Sequence, residues 1–91
     1  MSLNQQSCPS LARGVRLQAD PKSGEPMLLF PEGVLYLSPT AYDIVRRCDG
    51  LHPVGALVGI LVEEYEAEAD LVLQDVLDCL RDLYERKLVL I

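Results

Sequence analysis

The strongest constraint on the fold is an apolar strand that runs directly into a helix start. Residues 34 to 37 read Val-Leu-Tyr-Leu and lack the alternation of apolar and polar side chains expected of a half-exposed strand. Ser38 and Pro39 follow at once, and serine at the N-cap with proline at the first helical position is typical of a helix start. The chain therefore leaves this strand before a second covering layer can be built, and something else must cover its other side.

Two further strands are predicted before this one. Apolar residues alternate with Arg16 and Gln18 between Val15 and Ala19, a pattern typical of a strand with one wet face. Turn-forming residues 20 to 26 follow, and Pro31-Glu32-Gly33 predicts a three-residue hairpin loop with Gly33 at a positive φ. The predicted strands cover residues 15 to 19, 27 to 30 and 34 to 37.

Three helices are predicted after the strands. The first begins at Ser38 and is expected to end at Gly50, which can take the left-handed conformation of a helix stop. Pro53 is expected to open the second helix, in which Gly55 and Gly59 allow another backbone to approach closely. The third runs from Ala69 to Lys87, after an acidic stretch that complements the dipole at its N-terminus.

The third helix carries more apolar surface than one packed face requires. At 100° per residue its apolar side chains fill an arc of roughly 160°, whereas a single packed stripe needs only about 100°. Asp75 and Asp82 flank one margin of this arc, so the surplus stripe has an acidic rim. The members of the arc are Val72, Leu73, Val76, Leu77, Cys79, Leu80, Leu83 and Tyr84.

Length and charge limit the function. A chain of 91 residues is long enough for one core, so we expect a single domain over residues 11 to 91 after a flexible segment, residues 1 to 10. Residues 1 to 50 carry five cations and five anions, whereas residues 51 to 91 carry three cations and nine anions, which is the whole net charge of −6. That half repels phosphate.

The sequence has few residues suited to catalysis or metal binding and no segment suited to spanning a membrane. Cys8, Cys48 and Cys79 form no close pair, and His52 is the only histidine, so we expect no disulfide framework, no metal site, no cofactor and no enzyme activity. The longest apolar run, residues 53 to 62, is about half of the roughly 20 residues that span a bilayer. With no secretory signal at the N-terminus, we expect a cytoplasmic protein without a membrane span.

Three patches of the sequence resemble one family. They are residues 11 to 17 (LARGVRL), residues 28 to 37 (LLFPEGVLYL), and Thr40-Ala41 leading to Cys48-Asp49-Gly50. Together they resemble PqqD, the pyrroloquinoline quinone biosynthesis protein D, over nearly all of the chain after residue 10. The resemblance implies an α+β, winged-helix-like fold, a three-stranded antiparallel sheet followed by a three-helix bundle.

The resemblance also implies a function. Members of the family are non-catalytic carriers of a ribosomal precursor peptide, PqqA, whose leader adds as a strand beside the third strand and lies against the third helix. They present it to the radical S-adenosylmethionine enzyme PqqE, which cross-links a glutamate and a tyrosine of the precursor. The matching peptide-binding positions of this sequence are Val34, Leu35, Tyr36 and Leu37 on the strand and Val72, Asp75, Val76, Cys79, Asp82 and Leu83 on the helix.

Other interpretations stay open from the residues alone. Residues 34 to 37 could form a central strand buried on both sides, the apolar residues of the third helix could be ordinary core, and its aspartates could be a solvated face. The alternative function is a winged-helix DNA-binding domain, against which the acidic third helix argues. An unpaired strand edge could also pair two copies into a homodimer when no peptide is bound.

Overall fold

A computed structural model describes residues 3–91 of the chain, and Met1 and Ser2 lie outside the described residues. The predicted α+β class is confirmed, since a three-stranded antiparallel sheet precedes three helices. None of these helices, within residues 3–91, is long and apolar enough to cross a membrane. The elements in chain order are β1 (Ser10–Leu11), β2 (Arg16–Ala19), β3 (Pro26–Phe30), β4 (Gly33–Tyr36), α1 (Pro39–Val45), α2 (Val54–Tyr65), α3 (Ala69–Glu85) and β5 (Val89–Leu90).

The main sheet has the strand order β2-β3-β4, so β4 lies at one edge. Phe30 pairs with Gly33, and the loop between them is therefore Pro31-Glu32 alone. The prediction of a three-residue loop is wrong because Gly33 is already the first residue of β4. The shorter loop fixes the register in which Leu28 pairs with Leu35.

The start of α1 is as predicted, whereas its end is not. The Oγ of Ser38 accepts a hydrogen bond from the backbone N–H of Ala41 at 3.1 Å, with Pro39 as the first helical residue. The helix stops at Val45, because the N–H groups of Arg47 and Cys48 bond to carbonyls three residues back and tighten the chain into turns. Gly50 has a left-handed φ of 79°, but it lies in the following loop and does not end the helix.

The N-terminal strap, which we define as residues 3 to 10, corrects the expectation of a flexible segment. Its carbonyls at Ser7 and Gln5 accept the N–H groups of Val54 and Gly55 at 2.8 and 2.9 Å. Pro53 gives α2 no side-chain cap, so the unsatisfied N–H groups of its first turn need acceptors from elsewhere. The strap supplies them, and its Pro9 is buried.

Close approach of another backbone to α2 occurs at one glycine only. A Cβ at Gly55 would lie 3.4 Å from the carbonyl oxygen of Gln5, whereas one at Gly59 would meet nothing within 4 Å. The prediction is confirmed at Gly55 and wrong at Gly59. Further along, β1 pairs antiparallel with β5, which joins the two ends of the described chain in a second small sheet.

The core has two parts that meet at α3. One lies among the three helices and includes Ile44, Leu61 and Leu80. The other lies between the main sheet, α1 and the end of α3, and includes Leu28 and Leu83. Cys79 packs against both parts, so α3 is the element that connects the helices to the sheet.

Removing residues 1 to 9 is expected to lower the free energy of unfolding by roughly 2–4 kcal/mol, because three backbone hydrogen bonds from Gln5, Ser7 and Pro9 are lost. Urea denaturation measures the change. Gln5→Ala is the matched control, since it keeps the backbone carbonyl and should leave the unfolding midpoint in place. An unchanged midpoint for the truncated chain would contradict a structural role for the strap.

Candidate functional site

The β4 edge, defined as residues 33 to 37 on the side away from β3, has no strand partner within the part of the chain that the structure describes. Its backbone orientation follows from one hydrogen bond. The N–H of Leu37 donates to the carbonyl of Pro26 at 3.0 Å. Because such groups alternate along an antiparallel strand, Leu35 and Gly33 also face β3, and Val34 and Tyr36 face outward. Two N–H and two C=O groups are thus left on the β4 edge.

The side chains of β4 divide between the two faces of the sheet. Val34 and Tyr36 lie on the outer face and are 46% and 51% exposed. Leu35 is half-buried on the inner face, packed against the part of the core that contains Leu28. Leu37 is buried in that same part, so its side chain belongs to the core and cannot meet a ligand. The interpretation of β4 as a strand buried on both sides is therefore wrong.

Tyr36 is held in place by a residue of the β2–β3 loop. Its hydroxyl donates a hydrogen bond to Oδ2 of Asp20 at 2.5 Å. This bond raises the pKa of the Tyr36 phenol, and it lowers the pKa of the Asp20 carboxyl, which also accepts from the backbone N–H of Lys22. An exposed aromatic side chain at the β4 edge is thus fixed in one position before any ligand arrives.

Three residues of α3 that were predicted to contact the peptide are buried in the structure. Val76 and Leu83, two turns apart, are 1% and 3% exposed, and Val72 is buried as well. These side chains face the core, because the helix packs one stripe inward against α2 and the sheet. Val76 and Leu83 are therefore core residues, which corrects the prediction that they line an open groove.

The neighbouring stripe of α3 is the accessible one. Asp75, Cys79 and Asp82 recur at helical spacing, with both aspartates exposed and Cys79 half-buried between them. Asp82 pairs with Arg86 at 3.1 Å, whereas the carboxylate of Asp75 has no ion pair or hydrogen bond among residues 3–91. Asp75 is the member of the acidic rim left to meet a ligand.

A hollow of about 130 Å³ lies where α1, α2 and α3 meet. Val72 and Val76 line it, so these two predicted residues sit at its wall although they are nearly covered. Asp75 also lines it, as does Thr40 in the first turn of α1, four residues beyond the end of β4. The other lining residues are Ile44, Leu61, Tyr65 and Ala67.

Sequence reasoning missed Thr40, Tyr65 and Ala67 as lining residues. Tyr65 falls at helical spacing with the apolar residues of the second helix, which predicts a packed side chain, but it is 47% exposed and donates a hydrogen bond to Asp43 of α1. The position of Tyr65 at the last residue of α2 is the signal that could have placed it at a rim. Ala67 lies in the turn between α2 and α3, and no sequence pattern indicates that it lines this hollow.

Neither core cysteine is set up as a nucleophile. Burial raises the pKa of the Cys48 thiol to about 12 and that of Cys79 to about 11. The Cys48 Sγ also donates to the carbonyl of Ile44 at 3.3 Å, a bond within its own turn. Both thiols stay protonated at neutral pH and serve as packing groups.

Two relatives align with most of the chain. A PqqA binding protein from Xanthomonas campestris pv. campestris (strain B100) is 32% identical over 88 residues, which are 97% of this chain and 96% of the relative. A PqqA binding protein from Azotobacter vinelandii (strain DJ / ATCC BAA-1303) is 37% identical over 78 residues, 86% of this chain and 84% of the relative.

Two solved structures share the fold. The solution structure of the PqqD truncation of Methylobacterium extorquens PqqCD, described as a functional and stand-alone RiPP recognition element, has a TM-score of 0.85 and 28% identity, covering 99% of this chain and 96% of that one. The crystal structure of PqqD from Xanthomonas campestris has a TM-score of 0.63 and 31% identity, covering 99% and 100%.

The fold and its open edge define a class, a small α+β domain in which β4 pairs with β3 on one side and has no strand partner within residues 3–91 on the other. The family model for Coenzyme PQQ synthesis protein D (PqqD) matches residues 25–89 of the sequence, which include β4 and all of α3. The chain belongs to the PqqD family. The resemblance seen in the three sequence patches is thereby confirmed.

Replacing Asp20 with asparagine is expected to lower the pKa of the Tyr36 phenol, because the carboxylate that raises it is gone. Absorbance of tyrosinate during an alkaline titration measures the change, and Tyr36→Phe identifies which transition belongs to this residue. As pH rises through the raised pKa the Tyr36–Asp20 bond is lost. A tyrosine titration identical in the Asp20→Asn and unchanged chains would contradict the hydrogen bond.

Proposed function

We propose that this protein is a peptide carrier of pyrroloquinoline quinone biosynthesis, which binds the leader of the precursor peptide PqqA as an added strand on the β4 edge. The observation that carries the proposal is the outward orientation of the N–H and C=O groups of Val34 and Tyr36 on an unpaired edge. An extended peptide pairs with such groups through its own backbone. The names of the relatives supply the identity of the peptide.

The β4 edge is a better docking strand than β2, the other edge of the sheet. Gln18 and Arg16 put polar and charged side chains along β2, which discourages pairing with another chain. On β4 the exposed side chains are Val34 and Tyr36, which add apolar contact to main-chain pairing. Family membership and side-chain chemistry therefore favour the same edge.

The energetics call for more than backbone pairing. Four hydrogen bonds at roughly 0.5–1.5 kcal/mol each contribute about 2–6 kcal/mol, and ordering a flexible peptide costs about 2–5 kcal/mol. Apolar contacts must supply the rest. We assign one of them to the hollow beside Thr40 and Val72, which a strand running past the Tyr36 end of β4 reaches within a few residues. We predict an affinity in the sub-micromolar to micromolar range, which requires these apolar contacts to contribute most of the net binding free energy.

The carrier role needs no catalysis by this chain. The thiols of Cys48 and Cys79 stay protonated, and His52 is bonded to Asp49, so these side chains do not form a pair of nucleophile and base. Chemistry on the peptide would belong to the partner enzyme PqqE, to which the carrier presents the precursor. DNA binding is not favoured, because the exposed side of α3 bears Asp75, Asp78 and Asp82 and would repel phosphate.

The proposal includes an alternative occupant of the β4 edge when peptide is absent. A second copy of the chain offers the same unpaired groups, so two β4 strands can pair about a twofold axis into a homodimer. Peptide and dimer then compete for one surface. Ultracentrifugation should show peptide shifting the chain toward monomer, and a sedimentation pattern of pure monomer at high concentration would remove the homodimer.

Val34→Pro is expected to weaken peptide binding about 2- to 13-fold, because proline removes one outward N–H worth roughly 0.5–1.5 kcal/mol. The β3–β4 ladder should survive, since the N–H of Val34 does not point to β3. Calorimetry with the precursor peptide measures the affinity, and circular dichroism checks the fold.

Ala19→Pro is the matched control for this substitution. Asp20 donates its N–H to Glu25, so by alternation the N–H of Ala19 points away from β3 on the opposite edge of the sheet. Ala19→Pro should therefore leave peptide affinity unchanged. Equal weakening by both substitutions, or weakening by Ala19→Pro alone, would contradict docking at β4.

A further inference from the structure

A second recess, the basic pocket, lies at the hairpin end of the main sheet. It has a volume of about 300 Å³ and is formed by the segment before β2, the β3–β4 turn with the end of β3, and the residues that follow α3. Its charged lining consists of Arg13, Arg86, Lys87 and one anion, Glu32. Between these groups the surface is apolar and includes Phe30 and Pro31.

The charge of the basic pocket opposes that of the chain as a whole. Three cations face one anion here, although the net charge of the protein is −6. Arg86 is partly neutralised by Asp82 at 3.1 Å. Arg13 and Lys87 form no ion pair within residues 3–91 and remain exposed, so a ligand can reach both charges.

The backbone at Lys87 is in a conformation that a lysine does not favour. Lys87 has a φ of 65°, and its N–H bonds to Tyr84 while the N–H of Leu88 bonds to Leu83, which is a Schellman motif. Glycine is the usual residue at this position, because a side chain there is strained. The helix dipole does not require this lysine, since Arg86 already places a cation at the C-cap in a right-handed conformation. Glu66 takes a similar left-handed φ of 50° at the end of α2, so what distinguishes Lys87 is an unpaired charge that lines the same pocket as Arg13.

The position of the basic pocket connects it with the β4 edge. Pro31 and Glu32 line the pocket and form the turn that leads into Gly33, the first residue of β4. An extended chain advances about 3.3 Å per residue, so a strand paired with β4 and continuing past Gly33 comes to the pocket within a few residues. The pocket is therefore within reach of the same peptide.

We infer that the basic pocket binds an acidic segment of the peptide that docks on β4, with its carboxylates at Arg13 and Lys87 and a neighbouring apolar side chain against Phe30. This inference rests on the proposed function. It predicts the order of two segments along the bound peptide. One segment pairs with β4, and the adjoining segment, which passes Gly33, carries the carboxylates. The charge of the pocket, its unpaired cations and the continuity with β4 carry it together.

Arg13→Ala and Lys87→Ala are each expected to weaken binding of the precursor peptide by roughly 1.5- to 5-fold at low salt, and the difference should shrink as salt screens the charges. Calorimetry with the precursor and with a version whose Asp and Glu residues are changed to Asn and Gln measures this. The neutral version should bind the unchanged protein more weakly and be insensitive to both substitutions. Lys22→Ala is the control, an exposed lysine in the β2–β3 loop that should have no effect.

Lys87→Gly separates binding from folding. It should raise the melting temperature by roughly 2–8 °C through relief of strain, and still weaken peptide binding as much as Lys87→Ala. Lys87→Arg keeps the charge and should keep the affinity. Full affinity of the Lys87→Gly and Arg13→Ala proteins, or equal binding of the native and neutral peptides, would overturn the inference that the basic pocket binds an acidic segment. Loss of affinity in Val34→Pro would still support docking on β4 in that case, so the two proposals fail separately.

Discussion

The site depends on the helix start that follows β4. Ser38 caps α1 through the N–H of Ala41, and Pro39 enters the helix only three residues after Tyr36. The chain turns away from β4 at this point, and within residues 3–91 no later element pairs with it, since the helices pack on the sheet or on one another and β5 pairs with β1. An unpaired edge is normally a liability that charges or bulges suppress. Here it carries Val34 and Tyr36, which is the chemistry of a surface that receives another strand.

The two ends of β4 differ in chemistry, and this difference gives the edge a direction. Beyond Tyr36 lies an apolar hollow whose rim carries Asp75, and beyond Gly33 lies a pocket with Arg13 and Lys87. A backbone ladder alone binds any extended segment in more than one register. Distinct sites at the two ends favour one direction and one register of the peptide. The proposed specificity thus comes from the ends, and the affinity comes from the ladder together with the apolar contacts.

The sequence predicted the features that depend on local pattern. The strands, the Ser38 cap, the start of α2 near Pro53 and the run of α3 follow from hydrophobic period and capping residues, which act within a few positions. The strap was missed because its ordering comes from uncapped N–H groups at Val54 and Gly55, far along the chain. The same holds for the pairing of β1 with β5, two segments of two residues each with no strand pattern of their own.

In the candidate site, too, local pattern could be predicted from the sequence and distant contacts could not. Periodicity found the apolar surplus of α3, but it could not tell Val76 and Leu83, which the core covers, from Cys79 at the margin. That distinction depends on which element packs over each stripe of α3, and a helical wheel shows only the helix itself. The basic pocket was beyond sequence reasoning for the same reason, since Arg13 and Lys87 lie at opposite ends of the chain and are brought together only by the fold.

Amide hydrogen exchange of β4, with and without the precursor peptide, tests the central claim most directly. In the free protein, at a concentration low enough to keep it monomeric, the N–H groups of Val34 and Tyr36 face solvent and should exchange quickly, whereas those of Leu35 and Leu37 are protected by β3. Saturation with peptide should slow exchange at Val34 and Tyr36 and leave Leu17 and Ala19 on the β2 edge unchanged. Continued fast exchange at Val34 and Tyr36 under saturating peptide would contradict strand addition at β4.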